Sequence, residues 1–418
     1  KTGKWSTLLA ALVLTTGLSG VVQAADYTQG LTGAYRSDNK LVKGDGSSVK
    51  KKGNEIIYDF GGRDQSFSVV NQNVISFSQS GNHFIVNNVD SSNGNKGTIT
   101  LRVQNTIPNA FGGATGLNIG SGTTTIHSNL DIQTKADYLT QGVQVGGNGT
   151  LIIDGNVKMR KDDAESPWGV VTNNVHGNYG PGGYVTNDGL NYTGARWQPS
   201  GFYVGESRGN ITVNGNVDIA VRGTAVLTNT YNGADVDPYD LSTITLNGSS
   251  IRIVTPDDER KSNGSFKEAY YSLASFGGTV NVNVKNGEAQ NGDVYMIGNV
   301  IASKRSAGTS APDVYQDGRI NVALTTKDSY WKGVVDNFSK EQAGEVNVWL
   351  QNGAKWQHEA ASRTNGMDAA NMPNYSRPNY GLYDNVSYIH HFYGGTSADK
   401  TGYLTQNHAS QIHIDNYS

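Results

Sequence analysis

The chain has 418 residues, of which 53 are glycine, 22 tyrosine, 9 proline and none cysteine, and its formal net charge is −3. The lack of cysteine excludes disulfides and thiolate metal sites, and the charge balance provides no basic surface of the kind nucleic acid requires. With only 36 % hydrophobic and 17 % charged residues, the composition fits β structure with thin cores and Gly/Asn turns; disorder usually carries a higher net charge and fewer aromatics.

Residues 1–24 read as a secretory signal peptide. Lys1 and Lys4 supply a basic start, 8–14 an apolar centre (Leu-Leu-Ala-Ala-Leu-Val-Leu), and Val22-Gln23-Ala24 the small residues of a cleavage site after Ala24. The apolar run is too short to cross a bilayer, which takes about 20 residues. Residues 25–53 are polar, carry the solvated run Lys50-Lys51-Lys52, and are expected to form a leader or N-terminal cap.

From residue 54 to 418 the chain predicts a solenoid. Short alternating runs at 56–60, 66–70, 74–77 and 84–89 have the period of half-buried strands. Further strands open at Gly97, Gly122, Gly149, Gly209, Thr243, Gly278, Gly318 and Gly344, at intervals of 25, 27, 60, 34, 35, 40 and 26 residues. Gly155-Asn156-Val157-Lys158-Met159 recurs as Gly215-Asn216-Val217-Asp218-Ile219, and Thr172-Asn173 is matched by Thr228-Asn229. Several short strands per unit, no helical period and Asn/Gly corners predict an all-β fold, a right-handed parallel β-helix. Each coil then buries its apolar row only against its neighbours. Val280, Val282 and Val284 should point inward together, because period-2 residues share a face.

Two irregular stretches, at about 160–208 and 361–393, interrupt this pattern and are rich in aromatics. Loops leaving a rigid scaffold commonly carry binding, and aromatic side chains are efficient contact residues. Trp168, Trp197 and Tyr203 are therefore candidate ligand-binding residues, against the alternative that these aromatics fold back over the side of the rod. The second stretch includes Tyr388, His390, His391, Phe392 and Tyr393.

No stretch carries an enzyme's chemistry. Gly205-Glu206-Ser207-Arg208-Gly209 has the spacing of a nucleophile elbow. That device needs a helix after the serine, and the residues that follow read as a strand. Asp162-Asp163 and Asp257-Asp258 are adjacent, so on a strand they would point to opposite faces. Asp235, Asp237 and Asp240 lack the glycine-spaced pattern of a calcium loop. Gly146-Gly147-Asn148-Gly149 begins like a calcium-binding nonapeptide without its Asp, and His390-His391 has no third ligand at a suggestive spacing. No catalytic residue, cofactor or metal site is expected.

From about Thr243 onward the runs Gly-Gly-Thr-Val-Asn-Val-Asn-Val (277–284), Gly-Arg-Ile-Asn-Val-Ala-Leu-Thr (318–325) and Gly-Glu-Val-Asn-Val-Trp-Leu-Gln-Asn-Gly-Ala-Lys-Trp (344–356) resemble the passenger region of monomeric autotransporters, the type V secretion proteins of Gram-negative-type bacteria. That resemblance implies a β-helical passenger followed by an outer-membrane barrel, whose ten-residue alternating strands do not occur here, as in a truncated passenger. It implies export through the periplasm to the outer membrane and cell surface, with or without release. The serine-protease branch of that family carries Gly-Asp-Ser-Gly, which is missing here. The expected function is a non-enzymatic adhesion or binding rod whose partners are host-surface or other cell-surface receptors, glycans or a second copy of itself. The alternative is a carbohydrate-active β-helix enzyme, a lyase or hydrolase. Convergent Asp, Glu, Arg or Lys on one face would favour the enzyme, and a face of Thr, Asn and aromatics would favour binding.

Overall fold

A computed structural model describes residues 22–23, 31–33, 48–70, 74–77, 83–105, 114–136, 140–160, 171–172, 184–186, 189–191, 200–205, 208–221, 224–229, 242–254, 271–275, 277–302, 318–336, 343–359, 386–406 and 411–418. Each coil visits three sheets in turn. Thr123–His127 lies in the first, Asn129–Ala136 in the second and Thr140–Val145 in the third; Thr150–Ile153 then returns to the first sheet beside Thr123–His127. Repetition of this path builds sheets of 13, 11 and 9 strands. The fold is a parallel β-helix. Its N-terminal end departs from parallel pairing: Ser48–Lys52, which holds the three lysines, pairs antiparallel with Glu55–Asp59, and Val22–Gln23 pairs antiparallel with it in turn. No α-helix occurs among the described residues, and no helix is long and apolar enough to cross a membrane, which says nothing of a β-barrel.

The alternation read in the sequence builds the core. Leu151, Ile211, Ile244, Val280 and Ile320 occupy one inward column of the first sheet, in register and fully buried. Ile153, Val213, Leu246, Val282 and Val322 fill the next. Val284 departs from the expected trio. Asn283 takes a left-handed φ of 57°, which breaks the period-2 pattern. Val284 is buried, but in a separate small cluster with Ala323 and Trp349. Asn283 fixes that break by donating from Nδ2 to Ala323 O at 2.9 Å and accepting Gly292 N–H at 2.9 Å.

The corner between the first and second sheets explains the Gly-Asn-Val echo. Val157 and Val217, Lys158 and Asp218, and Met159 and Ile219 are direct register partners on adjacent coils. A Cβ at Gly215 would lie 2.0 Å from Gly155 O, and one at Gly248 would lie 2.2 Å from Gly215 O. The corners therefore stack too closely for any side chain. Beside them the backbone N–H of Asn156 donates to Asn129 Oδ1 at 3.0 Å, that of Asn216 to Asn156 Oδ1 at 2.9 Å, and that of Ser250 to Asn216 Oδ1 at 3.0 Å. The asparagine column satisfies corner donors that strand pairing leaves over.

Other sequence expectations shift in register. The strand after Gly97, Thr98–Asn105, belongs to the second sheet; in the first sheet the predecessor of Thr123–His127 is His83–Asn87. The Thr-Asn echo does not mark one position, because Val171–Thr172 pairs with Lys135 and Ala136 in the second sheet, whereas Thr228 and Asn229 pair with Val204 and Gly205 in the third. The long interval before Gly209 is one coil, since Thr150 pairs directly with Asn210. Both irregular stretches end earlier than their sequence suggests. Ser200–Gly205 is a fully buried strand of the third sheet, and Val386–Tyr393 is a strand of the first. Gly and aromatic content hid these strands, and only pairing with neighbouring coils sets their bounds.

Near the C-terminal coils the core becomes polar at one point. His358 is fully buried, and its Nε2 lies 2.8 Å from Ser387 Oγ, which donates to Val335 O at 2.8 Å and accepts the Val335 N–H at 3.0 Å. Burial lowers the His358 pKa from 6.5 to about 4, because the interior disfavours the imidazolium. The folded-state pKa is thus below the unfolded one. The contribution is complete above pH 6.5 and declines as pH falls through the window down to about 4. Over that window the loss should approach about 3 kcal/mol at most. Urea melts at pH 7 and pH 4.5 should show the drop in the native chain and a smaller one in His358→Gln. An equal drop in both would remove His358 from the account.

Candidate functional site on the second sheet

The second-sheet strands share a simple local logic. In Val157-Lys158-Met159, Val217-Asp218-Ile219, Ile251-Arg252-Ile253 and Val294-Tyr295-Met296 the flanking residues are buried and the middle one faces outward. Stacking these strands in register turns the middle residues into a continuous outer row: Asp131, Lys158, Asp218, Arg252, Tyr295, Tyr330, Lys355, Tyr403. At about 4.8 Å per rung the row runs ~34 Å along the rod. A second outer row beside it contains Arg102, Gln133, Arg160, Lys332 and Gln357.

The N-terminal half of the row is an ion-pair ladder. Asp218 accepts from Arg160 at 2.9 Å on one oxygen and from Arg252 at 3.2 Å on the other. These side chains are about one-third exposed, so each pair contributes at most about 1 kcal/mol. Their effect is to hold both guanidinium groups in place on the face. Asp131 accepts from Gln133 Nε2 at 3.0 Å, and Gln133 Oε1 accepts from Arg102 Nε at 3.0 Å. Between this ladder and the asparagine corner runs a shallow groove of ≈ 470 Å³, lined by Asn129, Asp131, Asn156, Lys158, Asn216 and Arg252 among others.

The C-terminal half is aromatic. The Arg252 guanidinium lies 5.7 Å from the centre of the Tyr295 ring, and the Tyr295 and Tyr330 rings are 5.6 Å apart with a 32° tilt. Tyr330 donates to Gln357 Oε1 at 2.7 Å. Tyr295 is 38 % and Tyr403 61 % exposed. The first sheet carries its own outer ladder, in which Asn347 donates to Asn321 at 2.8 Å, Asn321 to Asn281 at 2.8 Å and Asn281 to Thr245 at 3.2 Å. Both kinds of face named by the sequence are thus present, charged on the second sheet and Thr/Asn on the first.

Trp168 and Trp197 lie outside the described residues, as do Asp162-Asp163, Asp257-Asp258 and Asp235 to Asp240. Tyr203 requires a correction. It is 3 % exposed and pairs with Gln144 and Leu227 inside the third sheet. Its side chain lies on the face of the strand opposite the core residues Phe202 and Val204, and at this burial it leaves almost no apolar area for a ligand. Asn210–Val213 follows the Gly205 to Gly209 motif as a strand, as the sequence indicated; Glu206 and Ser207 lie outside the described residues. His390 and His391 sit on a strand: His390 lies 3.6 Å from Asp415 and His391 Nε2 lies 2.6 Å from Ser418 Oγ. No cluster of three metal-ligating side chains occurs among the described residues. Sequence reading missed the second-sheet row, although its signal, one polar or aromatic residue between two apolar ones, was available in each strand. Only inter-coil register shows that these residues form one line.

Comparison with family models, with curated proteins and with solved structures returns no match for the chain.

Proposed function

We propose that the chain is a non-enzymatic binding rod, displayed at a bacterial cell surface as the passenger part of an autotransporter and joined there to an outer-membrane barrel of the same polypeptide. The observation that carries this reading is the eight-residue row on the second sheet: its charges do converge on one face, but its two carboxylates, Asp131 and Asp218, are held by Gln133, Arg160 and Arg252, an arrangement for fixed contacts and not for proton transfer. It repeats at strand spacing along the axis, its side chains are half-buried or exposed, and it offers charge and tyrosine contacts beside a shallow groove. Such a surface binds through many weak contacts whose sum sets the strength. The late coils that resemble autotransporter passengers support the secretion route. Partners on this reading are surface receptors, glycans or a second rod.

Cells displaying the protein should attach to host cells, and the purified rod should compete for that attachment. Replacing residues 164–197 by a short Gly-Ser linker retains the buried strand Ser200–Gly205, so the coils can still stack. If attachment persists in that variant, the candidates Trp168 and Trp197 are not the contact. If the intact purified rod neither attaches nor competes, the reading fails.

One observation favours a carbohydrate-active enzyme as the second reading. Asp131 and Asp218 stand two rungs apart on one face, about 9 to 10 Å, at the upper end of the separation of paired carboxylates in inverting hydrolases. Against it, Asp218 is engaged on both oxygens by arginines, which suits a fixed anion better than a proton carrier. Loss of any glycan-cleaving activity in Asp131→Asn and Asp218→Asn would establish the enzyme; no cleavage by the native chain removes it.

A further inference from the structure

We propose that the outer face of the second sheet binds a linear acidic polysaccharide laid along the rod axis, an inference that rests on the binding-rod reading and specifies its ligand. The chain as a whole is acidic, at −3, yet the two outer rows of this sheet are not. Arg102, Lys158, Arg160, Arg252, Lys332 and Lys355 stand on them against the carboxylates of Asp131 and Asp218, with Glu359 just past the strand end, 3.6 Å from Lys332. The concentration of cations on one face of an acidic protein selects an anion by complementarity and steers it there.

The geometry selects a polymer. The contacts repeat at about 4.8 Å per rung for ~34 Å in one straight line, and the groove between row and corner is shallow and runs along the stacked coils. A compact ligand would use one or two rungs; an extended chain uses all of them, and each added rung raises avidity.

The mixture of groups selects a sugar polymer over a polyphosphate. Asp131 and Asp218 alternate with Lys158 and Arg252 and are themselves held by Gln133, Arg160 and Arg252, so the row is a fixed alternation of charge and not an unbroken cationic strip. A polysaccharide spaces its carboxylates between neutral hydroxyl and ring stretches, so it can set them against the cations and pass each Asp with a neutral stretch. A polyphosphate, charged at every unit, would meet repulsion at each Asp. Asn156 and Asn216 line the groove, and because their Oδ1 atoms accept from the next coil, what their amides can offer a ligand is an Nδ2 donor, suited to ring oxygens and hydroxyls. Tyr295 and Tyr330 then offer tilted ring faces in the same line, and sugar rings pack their C–H faces on such aromatics. The tyrosines also make this half the wetter and more accessible end, with Tyr403 61 % exposed.

The test uses the full chain with polygalacturonate as the acidic probe and dextran as the neutral one, by biolayer interferometry. Polygalacturonate should bind at least tenfold more tightly than dextran and weaken as salt is raised from about 50 to about 500 mM. Lys355→Glu and Tyr295→Ala should each weaken it roughly tenfold, as the loss of a close charge or ring contact does, while Thr245→Ala on the first sheet should not. Unchanged protease resistance in each variant shows that the coils remain stacked. Equal affinity for dextran, no binding of either probe, or undiminished binding in Lys355→Glu would overturn the proposal. The two readings separate cleanly. If cells still attach when both variants have lost polygalacturonate, the ligand stands and its role in attachment falls. If cells attach but neither probe binds, the rod reading stands and this ligand falls.

Discussion

Val282→Asp should lose protease resistance in the coils around it and unfold there before the rest of the rod. Val282 is fully buried between its register partners Leu246 and Val322. Both neighbours are apolar, and the core column continues through Val213 and Val348, so no cation or donor stands ready to meet a carboxylate. Burying an unpaired carboxylate either forces its protonation or opens the coil to water, and effects of this kind exceed about 4 kcal/mol. In a solenoid each coil contacts only its neighbours, so the damage should spread by one or two coils and leave distant ones intact. Limited proteolysis followed by mass spectrometry should place the new cuts near residues 243–324. Cleavage equal to that of the native chain would contradict the inward assignment. Val284→Asp should also destabilise, because Val284 is fully buried, but through the separate cluster with Ala323 and Trp349 instead of the inward columns.

Trp331→Ala should cost about 3–5 kcal/mol, the range for removing a large buried aromatic. Trp331 and Trp356 are fully buried on adjacent coils and stack with centroids 4.4 Å apart and planes within 6°. Each indole N–H also satisfies a corner carbonyl, Trp331 donating to Gly298 O at 2.9 Å and Trp356 to Gly333 O at 3.0 Å. Truncation therefore leaves a cavity, an unpaired carbonyl and a ring without its stacking partner. Trp331→Phe keeps most of the volume and should lose less. The two differ in a second readout, since near-ultraviolet circular dichroism of the indole pair should collapse in both while the melting temperature falls further in Ala. A Trp331→Ala melt within a degree of native would show that the pair does not support the C-terminal coils.

The fold was legible because its physics is local and repeated. Thr-Ile-Thr-Leu at 243–246 and Gly-Thr-Val-Asn-Val at 278–282 have one period and one inward set, and parallel pairing in register follows from burying that set against the next copy. The Gly155 and Gly215 echo was legible for the same reason, because a corner that stacks this closely admits one residue type. Failures came wherever the pattern was interrupted. Ser200–Gly205 and Val386–Tyr393 are strands whose inward residues alternate with glycine, tyrosine or histidine instead of clear polar partners. Tyr203 looked like a loop aromatic and is a sheet residue buried on the side away from Phe202. Val284 looked like the third member of a ladder, and one left-handed asparagine sends it elsewhere.

What the sequence by itself determined is the repeating unit: strand period, glycine and asparagine corners, the absence of cysteine chemistry and the parallel β-helix those features require. What only the tertiary structure decided is which residues of different coils become neighbours. Asp131, Lys158, Asp218, Arg252, Tyr295, Tyr330, Lys355 and Tyr403 are spread over 131–403, separated by connections of very unequal length, and nothing local relates one to the next. Inter-coil hydrogen bonding fixes their register. Connection length does not change it, because a solenoid absorbs extra residues outside its sheets while the strand spacing stays constant.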